Sequence, residues 1–432
     1  MEKKINVVTL GCSKNLVDSE LFLSQMVANG YEVSHDSDDS QARIVAINTC
    51  GFILDAKEES VNTILEYADA KKRGLIDKIF VFGCMSERYK AELIAEIPEV
   101  DGFYGKFQVR KMVEDLEADY KFSLSRQRYL TTPSHYAYLK ISEGCDRTCS
   151  YCAIPRMTGA HISIPVEELV KEARGLAGKG VKELLVIAQD ISFYGIDLYK
   201  ESRLSQLVSQ LSAIEGIEWI KLHYAYPANF PFDLLTVMNQ SSNVAKYLDI
   251  ALQHCSDKML RLMKRNTTRT ETINLIKRIR KEVPGIHLRT TMLVGHPGET
   301  DEDFDELKSF VCEMRFERLG VFCYSHEEDT YAGENYKDSV PQAVKQARAD
   351  ELMEIQQQIA SEINAQKTGQ ILKVVIDRRE GDYFIGRTEF DSPEVDGEVL
   401  ITTDQDLMIG DFCQVKITGS EVFDLYGEIS QL

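Results

Sequence analysis

No stretch of this chain approaches the roughly 20 consecutive apolar residues that a membrane-spanning helix needs, and runs such as Lys78 to Cys84 stop after one strand's length. That excludes a helical membrane protein. Positive charge is also short, with 50 Lys and Arg against 69 Asp and Glu and a net charge of −19. A broad nonspecific grip on nucleic acid needs a basic face, so a basic partner suits this chain better. An export signal is lacking too: Ile5 to Leu10 and Gly11-Cys12 have the outline of a leader and a lipoprotein site, but six apolar residues fall below the roughly 7 to 15 of a secretory core. The expected compartment is therefore the reducing cytoplasm, where ten cysteines serve as metal ligands and buried thiols rather than disulfides. Low-complexity segments are absent.

What is present divides by pattern into three regions, because 432 residues are too many for one ordinary core. In the first, residues 1–132, apolar runs at Ile5 to Leu10, Arg43 to Asn48 and Lys78 to Phe82 alternate with amphipathic stretches starting near Asp18, Asp55 and Glu87. This β/α alternation predicts a parallel sheet. Tyr120 to Ser134 reads as a polar linker. The second region, 133–368, repeats the βα unit six times, with strands expected at Tyr138 to Ser142, Glu183 to Ala188, Glu218 to Tyr224, Tyr247 to Leu252, His287 to Val294 and Leu319 to Ser325. Six units make an open (βα)6 partial barrel rather than the closed eight. The tail, 369–432, holds five short β-rich runs between Gly, Asp and Pro turns, which suggests a small β-barrel. Its five basic and fourteen acidic residues give it a charge of −9. The fold class is thus α/β multidomain.

Cysteine placement carries the chemistry. Cys12, Cys50 and Cys84 each follow one of the three strands of the first region. The carboxyl ends of parallel strands share one edge, where such folds build ligand sites, so three cysteines distant in sequence converge. The second set is Cys145-Asp-Arg-Thr-Cys149-Ser-Tyr-Cys152, directly after the first barrel strand. A 4Fe-4S cubane takes four thiolates, and three leave one iron open. An open iron can be chelated by the amino and carboxylate groups of S-adenosylmethionine, and electron transfer into the sulfonium then breaks a carbon-sulfur bond homolytically. Structural zinc is disfavoured because no second cysteine pair or histidine set follows at fixed spacing.

These residues resemble the radical S-adenosylmethionine methylthiotransferases. The resemblance rests on Gly11-Cys12-Ser13-Lys14-Asn15 with Asp18-Ser19-Glu20, Asn48-Thr49-Cys50-Gly51-Phe52-Ile53, Gly83-Cys84-Met85, and Gly144-Cys145-Asp146-Arg147 through Cys152-Ala153-Ile154-Pro155. The Asp391 to Gly397 block resembles the TRAM barrel that closes such enzymes. The resemblance covers all three regions in order. It implies two 4Fe-4S clusters, one on Cys145, Cys149 and Cys152 and one on Cys12, Cys50 and Cys84. It also implies S-adenosylmethionine as both radical source and methyl donor, and an external electron donor. Tyr151 is the aromatic residue that lies over the adenine in this superfamily, and Gln189 and Asp190, after the second barrel strand, stand where relatives bind the methionyl amino group.

The family has two branches. The motifs here, with Leu252-Gln253-His254, resemble the branch that methylthiolates the β-carbon of an aspartate in protein twelve of the small ribosomal subunit, free or in the ribosome. The other branch modifies tRNA adenosines. A tail at −9 favours a basic protein over tRNA. A noncatalytic iron-sulfur scaffold would leave six βα units without a purpose. Gly295 to Thr300 is open between cofactor contact and a plain turn, Lys14 and Asn15 between cluster or substrate contact and helix capping, and Cys255, Cys312, Cys323 and Cys413 read as ordinary thiols.

Overall fold

A computed structural model describes residues 3–38 and 41–430 of the chain. Residues 1 and 2, ahead of the segment weighed as a leader, residues 39 and 40, and the last two of the tail lie outside the described residues.

The first region is a five-stranded parallel sheet in the order β2-β1-β3-β4-β5, formed by β1 (Lys4–Thr9), β2 (Glu32–His35), β3 (Ile44–Thr49), β4 (Lys78–Gly83) and β5 (Gly102–Tyr104). The three long strands are those expected; β2 and β5 are edge strands too short to show a period. Phe80 and Phe82 pack with Phe22 and Met112 on one face, while Ile79 and Val81 pack with Ile64 on the other. Burial on both faces explains why these strands read as continuous apolar runs. The helices start earlier than expected. Helix α1 (Ser13–Ala28) begins directly after Cys12, α2 is Leu54–Lys72, and α3 (Cys84–Arg88) begins at the cysteine itself. Their first turns are polar motif residues without apolar periodicity.

In the central region a hairpin of β7 (Ser142–Glu143) and β8 (Ile162–Ser163) follows β6 (Tyr136–Lys140). The parallel sheet then runs β6, β9 (Glu183–Ile187), β10 (Trp219–Ala225), β11 (Val244–Ile250), β12 (His287–Val294) and β13 (Arg318–Cys323). Its two ends do not pair among the described residues, so the barrel is open, as six units predict. A single apolar core joins this sheet to its helices, the longest of which is Gln342–Ala365. The tail is a closed barrel in the order β14-β15-β16-β18-β17, built from β14 (Ile371–Glu380), β15 (Tyr383–Thr388), β16 (Val399–Thr402), β17 (Phe412–Ser420) and β18 (Leu425–Ile429).

Two placements escape local pattern. The stretch read as a linker is strapped down: Arg128 is 3% exposed and donates to Glu20 at 2.7 Å, to the Tyr138 carbonyl at 2.8 Å and to Glu172 at 3.1 Å. The tail barrel sits under the amino ends of the barrel strands. There Glu183, the first residue of β9, pairs with Arg387 and Lys221, each at 2.8 Å, and Arg318, the first residue of β13, pairs with Asp391 at 2.6 Å. The carboxyl ends, where the second cysteine set lies, face the first region.

Candidate active site between two cysteine triads

The sheet order brings the first triad together. Order 2-1-3-4-5 reverses direction between β1 and β3, and ligands of doubly wound sheets collect beyond the strand ends at such a switch point. Cys12 follows β1, Cys50 follows β3 and Cys84 follows β4. Gly11 has φ +91°, and a Cβ on it would stand 2.7 Å from Cys50 Cβ, so only glycine lets these two strand ends approach. Asn15 ties them: its amide donates to the carbonyls of Leu10 at 2.9 Å and Thr49 at 3.2 Å, and Cys84 Sγ lies 3.7 Å from its side-chain oxygen.

The three thiols sit in unlike fields. Burial pushes Cys84 up to about 12 against the pull of Lys106, whose Nζ is 3.8 Å from its sulfur. Burial also raises Cys50, with the Phe52 amide opposing. For Cys12 the crowding of the site acts upward, but Lys14, Lys106 and two backbone N–H groups outweigh it and hold the thiol below its ordinary value. Metal ligation takes thiolates, and cations at this edge favour them.

The second triad occupies the loop after the β7 strand. The Arg147 amide donates to Cys145 Sγ at 3.4 Å, the Cys152 amide to the Cys149 carbonyl at 3.2 Å, and the Arg265 guanidinium to Cys149 Sγ at 3.5 Å. Burial, opposed by that Arg147 amide, pushes Cys145 up to about 11, and burial with the neighbouring Cys149 and Cys145 raises Cys152. Each triad thus has its thiols within one another's field and cationic or N–H donors beside them, a donor set that fits an iron-sulfur cluster. Among the described residues no three His, Cys, Asp or Glu side chains crowd together closely enough for a single ion. A cubane spreads its ligating thiolates over separate corners.

The other expected residues fall close by, with partners of their own. Tyr151 packs against Met259, Leu293 and Tyr324, edge-on to His296 at 6.3 Å, and its hydroxyl is 3.5 Å from Arg265. Asp190 accepts from Arg147 Nε and from the Ser192 amide, both at 2.8 Å. Gln189 donates to Glu143 at 2.5 Å while its carbonyl oxygen is buried without a partner. Gly295 to Thr300 has contacts of its own: a Cβ on Gly295 would collide with the Lys345 side chain, its amide is capped by Glu299, and Thr300 with Asp303 forms a capping box.

Sequence reading missed the groups that join the triads. Lys106 pairs with Asp18 at 3.1 Å and Glu143 at 3.6 Å, and Lys140 pairs with the same two carboxylates. Arg88, in the helix that starts at Cys84, meets Glu327 at 3.1 Å beside Lys57 at 2.8 Å. Helix α3 also packs on the helix Ile154–Thr158 that follows Cys152. The guanidiniums of Arg147 and Arg265 lie 4.1 and 4.0 Å from the Tyr226 ring. Apart from Lys140 and Glu143, three residues apart, none of these partners is near its mate in sequence, and no local motif marks them.

Known proteins agree with this arrangement. Family models match in the same order: Uncharacterized protein family UPF0004 over residues 4–105, the Radical SAM superfamily over 139–311 and the TRAM domain over 368–429. A protein of Bacteroides fragilis named "Ribosomal protein uS12 methylthiotransferase RimO" is 60% identical over 428 residues, covering 99% of both chains. One of the same name from Porphyromonas gingivalis is 57% identical, again over 99% of both. Among solved structures, the radical S-adenosylmethionine methyltransferase TsrM of Kitasatospora setae, with cobalamin and a 4Fe-4S cluster bound, superposes with TM-score 0.57 over 77% of each chain. At 13% identity that is a likeness of fold.

Proposed function

This chain belongs to the ribosomal protein uS12 methylthiotransferase RimO family, within the radical S-adenosylmethionine enzymes, and on that premise we propose that its two cysteine triads hold two 4Fe-4S clusters facing one cleft. Cys145, Cys149 and Cys152 bind the cluster that takes S-adenosylmethionine; Cys12, Cys50 and Cys84 bind the other. The substrate is uS12, free or in the ribosome, methylthiolated at the β-carbon of an aspartate. When bound, these groups supply a radical able to take hydrogen from an unactivated carbon and a methylated sulfur to put in its place. The observation that carries this reading is the packing of helix α3, which begins at Cys84, on the helix Ile154–Thr158 behind Cys152.

The chain's own residues hold the two halves in register. Arg88 and Lys57 grip Glu327 across the cleft, and Lys106 and Lys140 share Asp18 and Glu143. Arg147, fixed by Asp190, and Arg265 keep positive charge against the second triad and clamp Tyr226 between them. Tyr151, Gln189 and Asp190 line the side where S-adenosylmethionine binds. Residues 1–132, 133–368 and 369–432 act as the cluster-bearing sheet, the radical core and the TRAM barrel. The acidic tail supports a basic ribosomal protein rather than tRNA as partner, and the electron donor is external to the chain; the enzyme works in the cytoplasm.

The test is anaerobic reconstitution of wild type, Cys12→Ala and Cys145→Ala with iron and sulfide. Each variant should lose one cluster's share of iron. With reductant and S-adenosylmethionine, wild type should add a methylthio mass to uS12, and Cys145→Ala should cleave no S-adenosylmethionine. Modification of tRNA alone, or equal iron in all three proteins, overturns the proposal.

A further inference from the structure

The cations around the cleft are almost all committed. Lys106 and Lys140 hold Asp18 and Glu143, Arg147 holds Asp190, Arg88 reaches Glu327, and Arg265 is bound to the Ala251 carbonyl. Lys14 is different. It is half-buried, and among the described residues its ammonium has no carboxylate within ion-pair distance and no hydrogen-bond acceptor. It lies against the Tyr224 ring, whose centroid is 3.4 Å from Nζ, and its charge also acts on the Cys12 thiol and, more weakly, on Asp249.

That contact crosses from one region to the other. Lys14 stands in the first turn of α1, two positions after Cys12, and Tyr224 is at the carboxyl end of β10. Tyr226, two residues on, is the ring clamped by Arg147 and Arg265 beside the second triad. Lys14, two residues from Cys12, thus touches the chain segment that carries Tyr226 beside the second triad. Tyr224 itself has φ +66°, a left-handed conformation that costs a bulky residue energy and persists only where its surroundings enforce it.

The ring covers one side of the ammonium, and a lysine carries three N–H donors with no acceptor of its own. Behind it, His223 and Asp249 are buried in the barrel, neither within ion-pair distance. A half-desolvated ammonium with open donors is a receptor for an anion, and a carboxylate brought into the cleft needs such a partner. We propose that the Lys14 ammonium receives the side-chain carboxylate of the substrate aspartate, making Lys14 a specificity-determining residue that turns the adjacent β-carbon toward the space between the triads. This rests on the uS12 reading above.

A second carboxylate could reach the same place, that of S-adenosylmethionine, and the experiment separates the two. Affinities of wild type, Lys14→Met, Lys14→Gln and Lys14→Arg holoenzymes are measured for uS12, for uS12 with its target aspartate changed to asparagine, and for S-adenosylmethionine. Iron and sulfide per chain check loading. Wild type should favour the aspartate form about ten- to a hundred-fold, the range of a hydrogen bond to a charged group. Lys14→Met and Lys14→Gln should erase that preference, and Lys14→Arg should keep most of it. A preference that survives in whichever neutral variant loads its clusters overturns the proposal, as does a loss of S-adenosylmethionine affinity in its place. If wild type methylthiolates uS12 while Lys14→Met still discriminates, only this inference falls; if wild type leaves uS12 unmodified, the functional reading falls with it.

Discussion

The first-region sheet and the tail barrel dock on opposite ends of the same (βα)6 core, and both do so through ions, yet the two interfaces are built differently. Under the core, Glu183, Lys221 and Arg387 are essentially dry, at 0%, 0% and 3% side-chain exposure. Its carboxylates are shared between partners: Asp377 holds Arg387 and His135, and Asp396 holds Arg289 and the Tyr247 hydroxyl. Above the core, Asp18 and Glu143 are 18% and 15% exposed, and among the described residues Gln189 keeps an unpartnered oxygen and Lys14 lacks an acceptor. The lower interface is the drier and its buried carboxylates are paired, as a permanent joint should be. The upper one is wetter and left with unspent polar groups, as a site that admits a substrate must be.

Breaking the lower joint should have the largest effect. Glu183→Ala strands Lys221 as a buried cation without a carboxylate and leaves Arg387 only Asp377, and we expect a loss of about 3–5 kcal/mol in chemical or thermal unfolding. An equal loss from the cleft substitution Glu327→Gln would erase the contrast. That change leaves Arg88 and Lys57 with a neutral acceptor, and its expected stability cost is smaller, about 2 kcal/mol. It should lower methylthiolation of uS12 more than cleavage of S-adenosylmethionine, because it loosens the two regions without touching the second triad. Acid should separate the ends too. Burial acts against Glu183, but Arg387 and Lys221 hold it down at about 2, below its ordinary 4.5. Its contribution is therefore complete above about pH 4.5 and is lost as pH falls toward 2, so acid unfolding should release the tail barrel in that window, seen by limited proteolysis.

The smallest effect has the opposite sign. Burial, against the pull of Arg289, pushes the Asp249 carboxyl up to about 6 from an ordinary 3.8. The folded protein prefers that group protonated, so its stability declines as pH rises from about 4 through 6. Asp249→Asn should raise stability at pH 7 by on the order of 1 kcal/mol and gain nothing below pH 4, measured by thermal melts across pH.

Much of this was legible in the residues alone. Periodicity located His287 to Val294 to the residue, because every second or every residue of a strand meets the same core. The short edge strands Glu32–His35 and Gly102–Tyr104 were not legible, yet the first of them sets the switch point that brings Cys12 beside Cys50. The Gly295 to Thr300 turn shows the reverse case. Its glycine suits a ligand's approach equally well, and only the fold shows that the Lys345 side chain lies against it.

Cysteine spacing, the βα alternation and the charge of the tail were settled by the sequence itself, since each is a property of neighbours along the chain. The fold decided everything that depends on neighbours across it. Arg128 meets Glu20, Lys57 meets Glu327, Arg387 meets Glu183, and Lys14 comes to rest on Tyr224. Such pairs are joined through space by packing and leave no period in the chain, which is why two triads could be read from the sequence and the cleft between them could not.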